Sequence, residues 1–210
     1  MDKTKKFVIT INRELGSGGR LIGKELATRL GVKFYDKALV EELTKKFDIS
    51  VKELEKIKAQ KHNWLSDFAQ QYINNSKVEE RFNVESNALT TANIFKKESK
   101  ILLELAAEES CVIAGRSGFF VFRDEPNSLK IFIQSTMEKR IKHVMATQNL
   151  TRNEAVKAIE KVDAGRETYT KKFSSTSRYY THNYDLVLNV ANLTKNSAVE
   201  IIMDFINKQN

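Results

Sequence analysis

Apolar residues along this chain fall into two alternating kinds of run. Short, β-branched and nearly continuous stretches cover 7–11 (Phe7, Val8, Ile9, Ile11), 111–114, 129–133 and 185–190, with a shorter one at 32–35. Unbroken apolarity of this kind suits strands covered on both faces. Their alternation with longer helical stretches predicts an α/β protein with a five-stranded parallel sheet and crossover helices. Helix starts are marked by capping boxes, in which a Ser or Thr and a Glu three residues on satisfy each other's free amides. Ser50 with Glu53, Ser135 with Glu138 and Thr151 with Glu154 fit, opening helices expected to reach about Lys61, Gln148 and Tyr169, and a last helix is expected over about 197–208. Residues 41–109 show helical periodicity and no good strand. A single domain is therefore expected, with a helical insertion at about 37–109 that is long for one crossover.

Four of the eight glycines, Gly16, Gly18, Gly19 and Gly23, lie between the first strand and the first helix. Glycine permits positive φ and close backbone approach, and amides at a helix N-terminus attract an anion. The stretch from Asn12 to Arg20 is thus a candidate phosphate cradle, with Gly16, Ser17, Gly18, Gly19 and Arg20 as its phosphate-binding residues. A dinucleotide loop is a weaker match: Asp36 sits twenty residues after Gly16, as the ribose acid should, but Leu21 takes the third glycine position and four residues part the strand from Gly16. The longer loop of a phosphate-binding P-loop agrees with the spacing. A glycine-rich turn that carries no ligand is the third alternative. In a full P-loop a lysine neutralises the terminal phosphates and a hydroxyl holds Mg²⁺; here those positions are Gly19 and Leu21. Arg20 offers a displaced charge, and Lys24 lies one turn on along the same helix face.

Charge adds a preference for anions without naming one. Lys and Arg number 35 against 27 Asp and Glu, a net charge of +8 and a pI near 9.4. The bases are mostly dispersed among acids, as in Lys52-Glu53-Leu54-Glu55-Lys56, which reads as a solvated helix face. Residues 170–183 differ, carrying Lys171, Lys172 and Arg178 with no acid, and are expected to form a mobile basic loop that either closes over the donor as a lid or stays a solvated loop. Tyr179 and Tyr180 within it would suit single-stranded nucleic acid, but one short stretch is too small a footprint and argues against that partner. Cys111 is the sole cysteine, which excludes an internal disulfide and fits a reducing cytoplasm. His62, His143 and His182 have no metal-ligand spacing, so no resident metal site is expected. The charged start, Met1 to Lys6, leads into only a short apolar run, and neither a signal peptide nor a membrane span is expected.

Several stretches together resemble a known family. They are residues 7–43 (FVITINRELGSGGRLIGKELATRLGVKFYDKALVEEL), 111–118 (CVIAGRSG), 123–133 (RDEPNSLKIFI), 138–145 (EKRIKHVM), 161–173 (KVDAGRETYTKKF) and 183–189 (NYDLVLN). In this order they are similar to the cytidylate kinase-like family of P-loop proteins. The resemblance implies a three-layer P-loop NTPase fold of the nucleoside monophosphate kinase type, with a lid at about 150–183, ATP and Mg²⁺ as cofactors and nucleotides as substrates. Asp36 falls on the acid that opens the monophosphate-binding region. Gly115-Arg116 falls on the family's Gly-Arg-Asp, whose arginine grips the acceptor phosphate; its acid is Ser117 here. Asp163 and Arg166 match a lid-side Asp-x-x-Arg that recognises cytosine and phosphate. Glu42 stands near an expected acceptor-binding arginine.

The residues themselves support parts of this picture. Phosphoryl transfer needs two phosphates aligned and their charge neutralised, and arginines do both. Arg116 follows a glycine at the end of a predicted central strand, where open α/β sheets bind ligands. Arg20, Arg140 and Arg166 are the candidate catalytic cations and Asp36, Arg116, Asp163 and Arg166 the candidate acceptor ligands. Asp163 and Arg166, three apart on a helix, alternatively pair with each other. Phe119, Phe120 and Phe122 are expected to pack on the sheet. The expected function is ATP-dependent transfer to a small acceptor such as a nucleoside monophosphate. The alternative is a silent nucleotide-binding protein with a degenerate P-loop.

Overall fold

In chain order, the described elements are β1 (Val8–Arg13), α1 (Gly19–Leu30), β2 (Lys33–Tyr35), α2 (Thr91–Glu108), β3 (Cys111–Ala114), α3 (Gly118–Val121), β4 (Ser128–Gln134), α4 (Met137–Gln148), α5 (Arg152–Ser174), a 3-10 turn (Thr181–Asn183), β5 (Leu186–Asn189) and α6 (Lys195–Asn207). They come from a computed structural model that describes residues 1–40 and 91–209. The capping box expected at Ser50 and Glu53, together with Glu42, His62 and most of the helical insertion, lies outside the described residues. The chain separates into two compact units, Met1–Lys37 with Ala106–Asn210, and Ala38–Leu105. In the second unit, Phe95, Ile101 and Leu102 on α2 are buried.

The first unit is built on a five-stranded sheet of order β2-β3-β1-β4-β5. All of its pairings are parallel. β1 is central: Ile9 stands opposite Val112 on one side and Leu129 on the other. Alternation along β1 sends Ile9 and Ile11 to one face, where they meet Ile22 and Leu26 of α1 and Ile202 and Ile206 of α6 in one apolar core with Ile131 and Ile133. The opposite face carries Thr10, which packs on α3; a Cβ at Gly118 would lie 3.1 Å from the Thr10 methyl. Phe119 and Phe122 are buried as expected, whereas Phe120 is only half-buried. A smaller core joins α4 to α5 through Ile141, Val144, Ala155 and Ile159, and Leu15 packs against it. Cys111 is a free thiol buried in β3, and burial pushes it up to about 12.

Four local expectations are corrected. β1 runs on to Arg13, which pairs with Ile133, so two residues rather than four precede Gly16. The start of α4 is capped at Thr136 without a side-chain bond. The predicted Ser135 cap fails because the Ser135 amide donates to Glu14 (3.0 Å) and Glu138 is drawn to Arg152 (2.7 Å). α5 begins with the expected Thr151–Glu154 capping box but continues past Tyr169 to Ser174. The first part of the supposed basic loop is therefore helix, and the rest is tied down by Glu167 accepting from the Arg178 amide (3.0 Å) and by Asn183 donating to the Ser177 carbonyl (2.9 Å). α6 starts two residues early because Thr194 caps it by accepting from the Ser197 amide. No described helix is long and apolar enough to cross a membrane.

Leu26 is fully buried between α1 and the sheet. Leu26→Ala is expected to cost about 2–5 kcal/mol, since a cavity is left in a core that relaxes only partly; a urea titration followed by circular dichroism measures it.

Candidate functional site

The site grows from the C-terminal end of β1. Glu14 to Gly18 form the turn into α1, with Gly16 at φ 82° and Gly18, the α1 N-cap, at φ 77°. Only glycine takes these angles without strain. Space is a second constraint, since a Cβ at Gly16 would sit 2.7 Å from the Arg140 carbonyl. Ser17 turns inward, its hydroxyl donating to the Glu14 carbonyl (2.9 Å). Among the described residues, the amides of Gly16, Gly18, Gly19 and Arg20 have no acceptor, while those of Leu21 and Ile22 bond to Gly18. Four free donors at a helix start are an anion cradle. Gly16, Ser17 and Gly18 line a cavity of about 290 Å³ whose other wall carries Lys139, His143 and Lys195.

A second cavity of about 350 Å³ opens at the end of β1. It is lined by Asn12 and Arg13 of β1, Gly115 and Arg116 after β3, Arg166 of α5 and Arg178, with Lys37 at its edge. Arg116 and Ser117 both hold positive φ, 55° and 51°, a strained pair at the mouth of a strand. The Ser117 hydroxyl lies 3.3 Å from that of Thr170, and the buried Asn12 carboxamide donates to the Tyr184 hydroxyl (3.0 Å). Among the described residues, no carboxylate lines either cavity.

Between the cavities, the buried Asp163 carboxylate holds the site together. One oxygen accepts from the Leu15 amide (3.0 Å), Arg166 (3.3 Å) and Arg178 (3.4 Å), and the other from Arg140. Arg140 is spent on the loop as well, donating to the Leu15 carbonyl (2.8 Å) and pairing with Glu14 (3.3 Å). Arg166 and Arg178 both donate to the Arg13 carbonyl. Burial first, then the charge on Arg178, lowers the Arg166 guanidinium from its usual range.

The sequence-derived candidates are thus sorted. Gly16, Ser17 and Gly18 line the first cavity, Arg116 and Arg166 the second. Arg20 and Asp36 meet each other at 2.7 Å, with Arg20 largely exposed. Lys24 is exposed on α1 and lines neither cavity. Arg140 and Asp163 are buried between loop and helices, and the predicted Asp163–Arg166 pairing is present. Of the expected lid, Lys171 is on the surface paired with Glu167 (3.1 Å), Lys172 is exposed, and Arg178 is buried in the second cavity's wall rather than solvated. Arg13 and Lys37 were not anticipated. The signal for Arg13 was an arginine at the end of the strand six residues before the glycine at the lysine position.

The family model of the cytidylate kinase-like family matches residues 8–192, a range that holds the glycine turn, every lining residue of the second cavity and most of those of the first. The chain belongs to the cytidylate kinase-like family. No curated protein matches it. Among solved structures, an uncharacterized protein from Eubacterium ventriosum ATCC 27560 is similar at a TM-score of 0.77 and 23% identity, covering 98% of this chain and 100% of that one. A shikimate kinase from Bacteroides thetaiotaomicron is similar at a TM-score of 0.51 and 13% identity, with 96% of this chain and 98% of that one covered. The α/β fold of this member of the cytidylate kinase-like family is thus that of P-loop kinases.

The family implies ATP and usually Mg²⁺. The residues fit the nucleotide, through the free amides of the loop, but not a protein-held Mg²⁺. Neither Arg20 nor Leu21, the positions after Gly19, supplies a hydroxyl, the Ser17 hydroxyl donates to the Glu14 carbonyl, and the described residues contain no group of three or more His, Cys, Asp or Glu that could hold a metal.

Asp163→Ala would leave Arg140, Arg166 and Arg178 buried without their shared partner. Removing one side of a buried ionic cluster costs about 3–5 kcal/mol. A large drop in the urea midpoint is expected; an unchanged midpoint would show that the carboxylate does not hold these cations.

Proposed function

We propose that the protein transfers the terminal phosphoryl group of ATP to a small phosphorylated acceptor, with a nucleoside monophosphate as the best match. The observation that carries this reading is the pairing of two unlike cavities at one turn: one lined by glycines with free amides, the other walled by arginines. The amides of Gly16, Gly18, Gly19 and Arg20 hold the donor phosphates. Arg116 and Arg166 hold the acceptor phosphate, for which the planar guanidinium fork is suited. Asp163 and Arg140 position these groups rather than touch substrate.

In the reaction the bond between the terminal phosphorus and its bridging oxygen breaks, leaving the electron pair on ADP. An acceptor phosphate oxygen forms the new bond. That oxygen is already ionised at neutral pH, so no side chain need take a proton. Alignment and charge neutralisation then account for the rate. This suits a site rich in arginines, with no carboxylate lining its walls among the described residues.

A catalytically silent nucleotide-binding protein is the second reading, favoured by Gly19 at the lysine position and by the lack of a hydroxyl at Arg20 and Leu21 after it. A coupled assay of ADP release with ATP, Mg²⁺ and a panel of nucleoside monophosphates separates the two. Turnover is expected, and Arg116→Ala should lower kcat/KM about 10- to 100-fold through lost charge-assisted hydrogen bonds to the acceptor phosphate. Tight nucleotide binding with no turnover for any acceptor would establish the silent reading instead.

A further inference from the structure

The conventional P-loop lysine reaches the phosphates from the first turn of the helix, and this chain has glycine there. Gly19 is not an empty position. A Cβ built on it would lie 2.6 Å from the Cβ of Arg13 and 3.1 Å from its Cγ. The stem of Arg13 therefore fills the space in which a side chain at position 19 would begin. The other end of Arg13 is equally constrained: a Cβ at Gly115 would lie 2.1 Å from the guanidinium Nη1. Arg13 is threaded between two glycines: the one at the start of α1 leaves room for its fixed Cβ, and the one at the end of β3 leaves room for the guanidinium in the position it takes here.

The geometry points to Arg13 as the phosphate-binding cation that replaces the missing P-loop lysine, entering from the strand side of the turn instead of the helix side. This rests on the phosphotransferase reading above and names a catalytic residue for it. Of the cations on the turn and α1, Arg20 is held by Asp36 and Lys24 lines neither cavity; Arg140 of α4 is held by Glu14 and Asp163, Lys195 of α6 by Glu25, and Lys139 reaches the amide-floored cavity from α4, away from the space beside Gly19 that Arg13 fills. The Arg13 guanidinium, by contrast, forms no ion pair with any carboxylate among the described residues and lines the arginine-walled cavity. Its carbonyl is fixed by Arg166 and Arg178, so the strand end from which the side chain projects is anchored. Burial, followed by the charges of Arg166 and Arg178, pushes it down to about 9. The charged form is thus held at a cost that a bound phosphate would offset. A guanidinium here could grip two phosphate oxygens at once, which an ammonium cannot do in the same planar way.

Calorimetry with tripolyphosphate and with ATP on the full-length protein tests this without requiring turnover. Arg13→Ala is expected to weaken both ligands about tenfold or more, as the loss of a charged hydrogen-bonding group predicts. Lys157→Ala removes one exposed positive charge from α5 and controls for net charge; it should stay within about twofold of the wild type. The exchange variant Arg13→Gly with Gly19→Lys, whose folding circular dichroism checks, restores the conventional arrangement and should bind more tightly than Arg13→Ala. A folded Arg13→Ala protein that binds tripolyphosphate as the wild type does would overturn the assignment, even if the wild type proves to be an active kinase. Arg13-dependent binding with no turnover would leave the assignment standing and overturn the kinase reading alone.

Discussion

The Asp163 carboxylate is the interaction on which the rest of the site depends. A turn containing two glycines at positive φ has little stiffness of its own, because glycine loses more backbone entropy on folding than any other residue. What holds this turn is the amide of Leu15 on Asp163 from one side and the Arg140 fork, on Glu14 and the Leu15 carbonyl, from the other. The same carboxylate anchors Arg166 and Arg178, whose guanidiniums in turn fix the carbonyl at the end of β1. Strand, turn, α4 and α5 thus share one buried anion. Burying it costs desolvation that hydrophobic side chains would not incur. Its use here is positional: it sets where the amides and the arginines point.

One consequence is electrostatic. Arg13, Arg140, Arg166 and Arg178 bring four positive charges to this neighbourhood, against Glu14 and Asp163 as the acids that meet them. The remaining positive potential sits between two cavities with low-dielectric walls, which focus it on whatever enters. The overall excess of +8 says far less, since most of those charges are exposed and interspersed with acids. It is this concentration of arginines at the turn that distinguishes this surface, and phosphate groups have the charge and the paired acceptor oxygens to match it.

The sheet was legible in the sequence because its central strands, β1 and β3, are buried on both faces and so appear as unbroken apolar runs; Cys111–Ala114 was placed to the residue, whereas the edge strand β2, half-exposed, left a weaker signal. The glycine turn was legible for a similarly local reason. The misreadings occur where a partner distant in sequence decides. Ser135 matches a capping box, yet its amide is claimed by Glu14 across the sheet. α5 outruns Tyr169 because its last turns pack Thr170 and Ser174 inward, with the Ser174 hydroxyl donating to the Thr170 carbonyl (2.8 Å), and the chain leaves the helix only at the left-handed Ser175. Arg178 looked like part of a solvated loop because nothing near it in sequence is acidic; its partner, Asp163, is fifteen residues away on the helix. Arg13 was the hardest to see, since its role follows from the absence of side chains at Gly19 and Gly115.

That absence bears on whether the turn is degenerate. If Gly19 were simply a lost lysine, the space beside it would be open, and Arg13 would be expected to turn to solvent or to a carboxylate. Instead the side chain is packed over one glycine and against another, with its guanidinium kept in a cavity beside two further arginines. A protein under no demand to bind phosphate would gain stability by replacing a half-buried cation that has no ion pair among the described residues with an apolar side chain of similar volume. The arrangement observed forgoes that gain. A lysine at 19 and an arginine at 13 exclude each other sterically, so the change at the lysine position and the arginine at the strand end are two parts of one substitution, which relocates the cation across the turn while leaving the amide cradle intact.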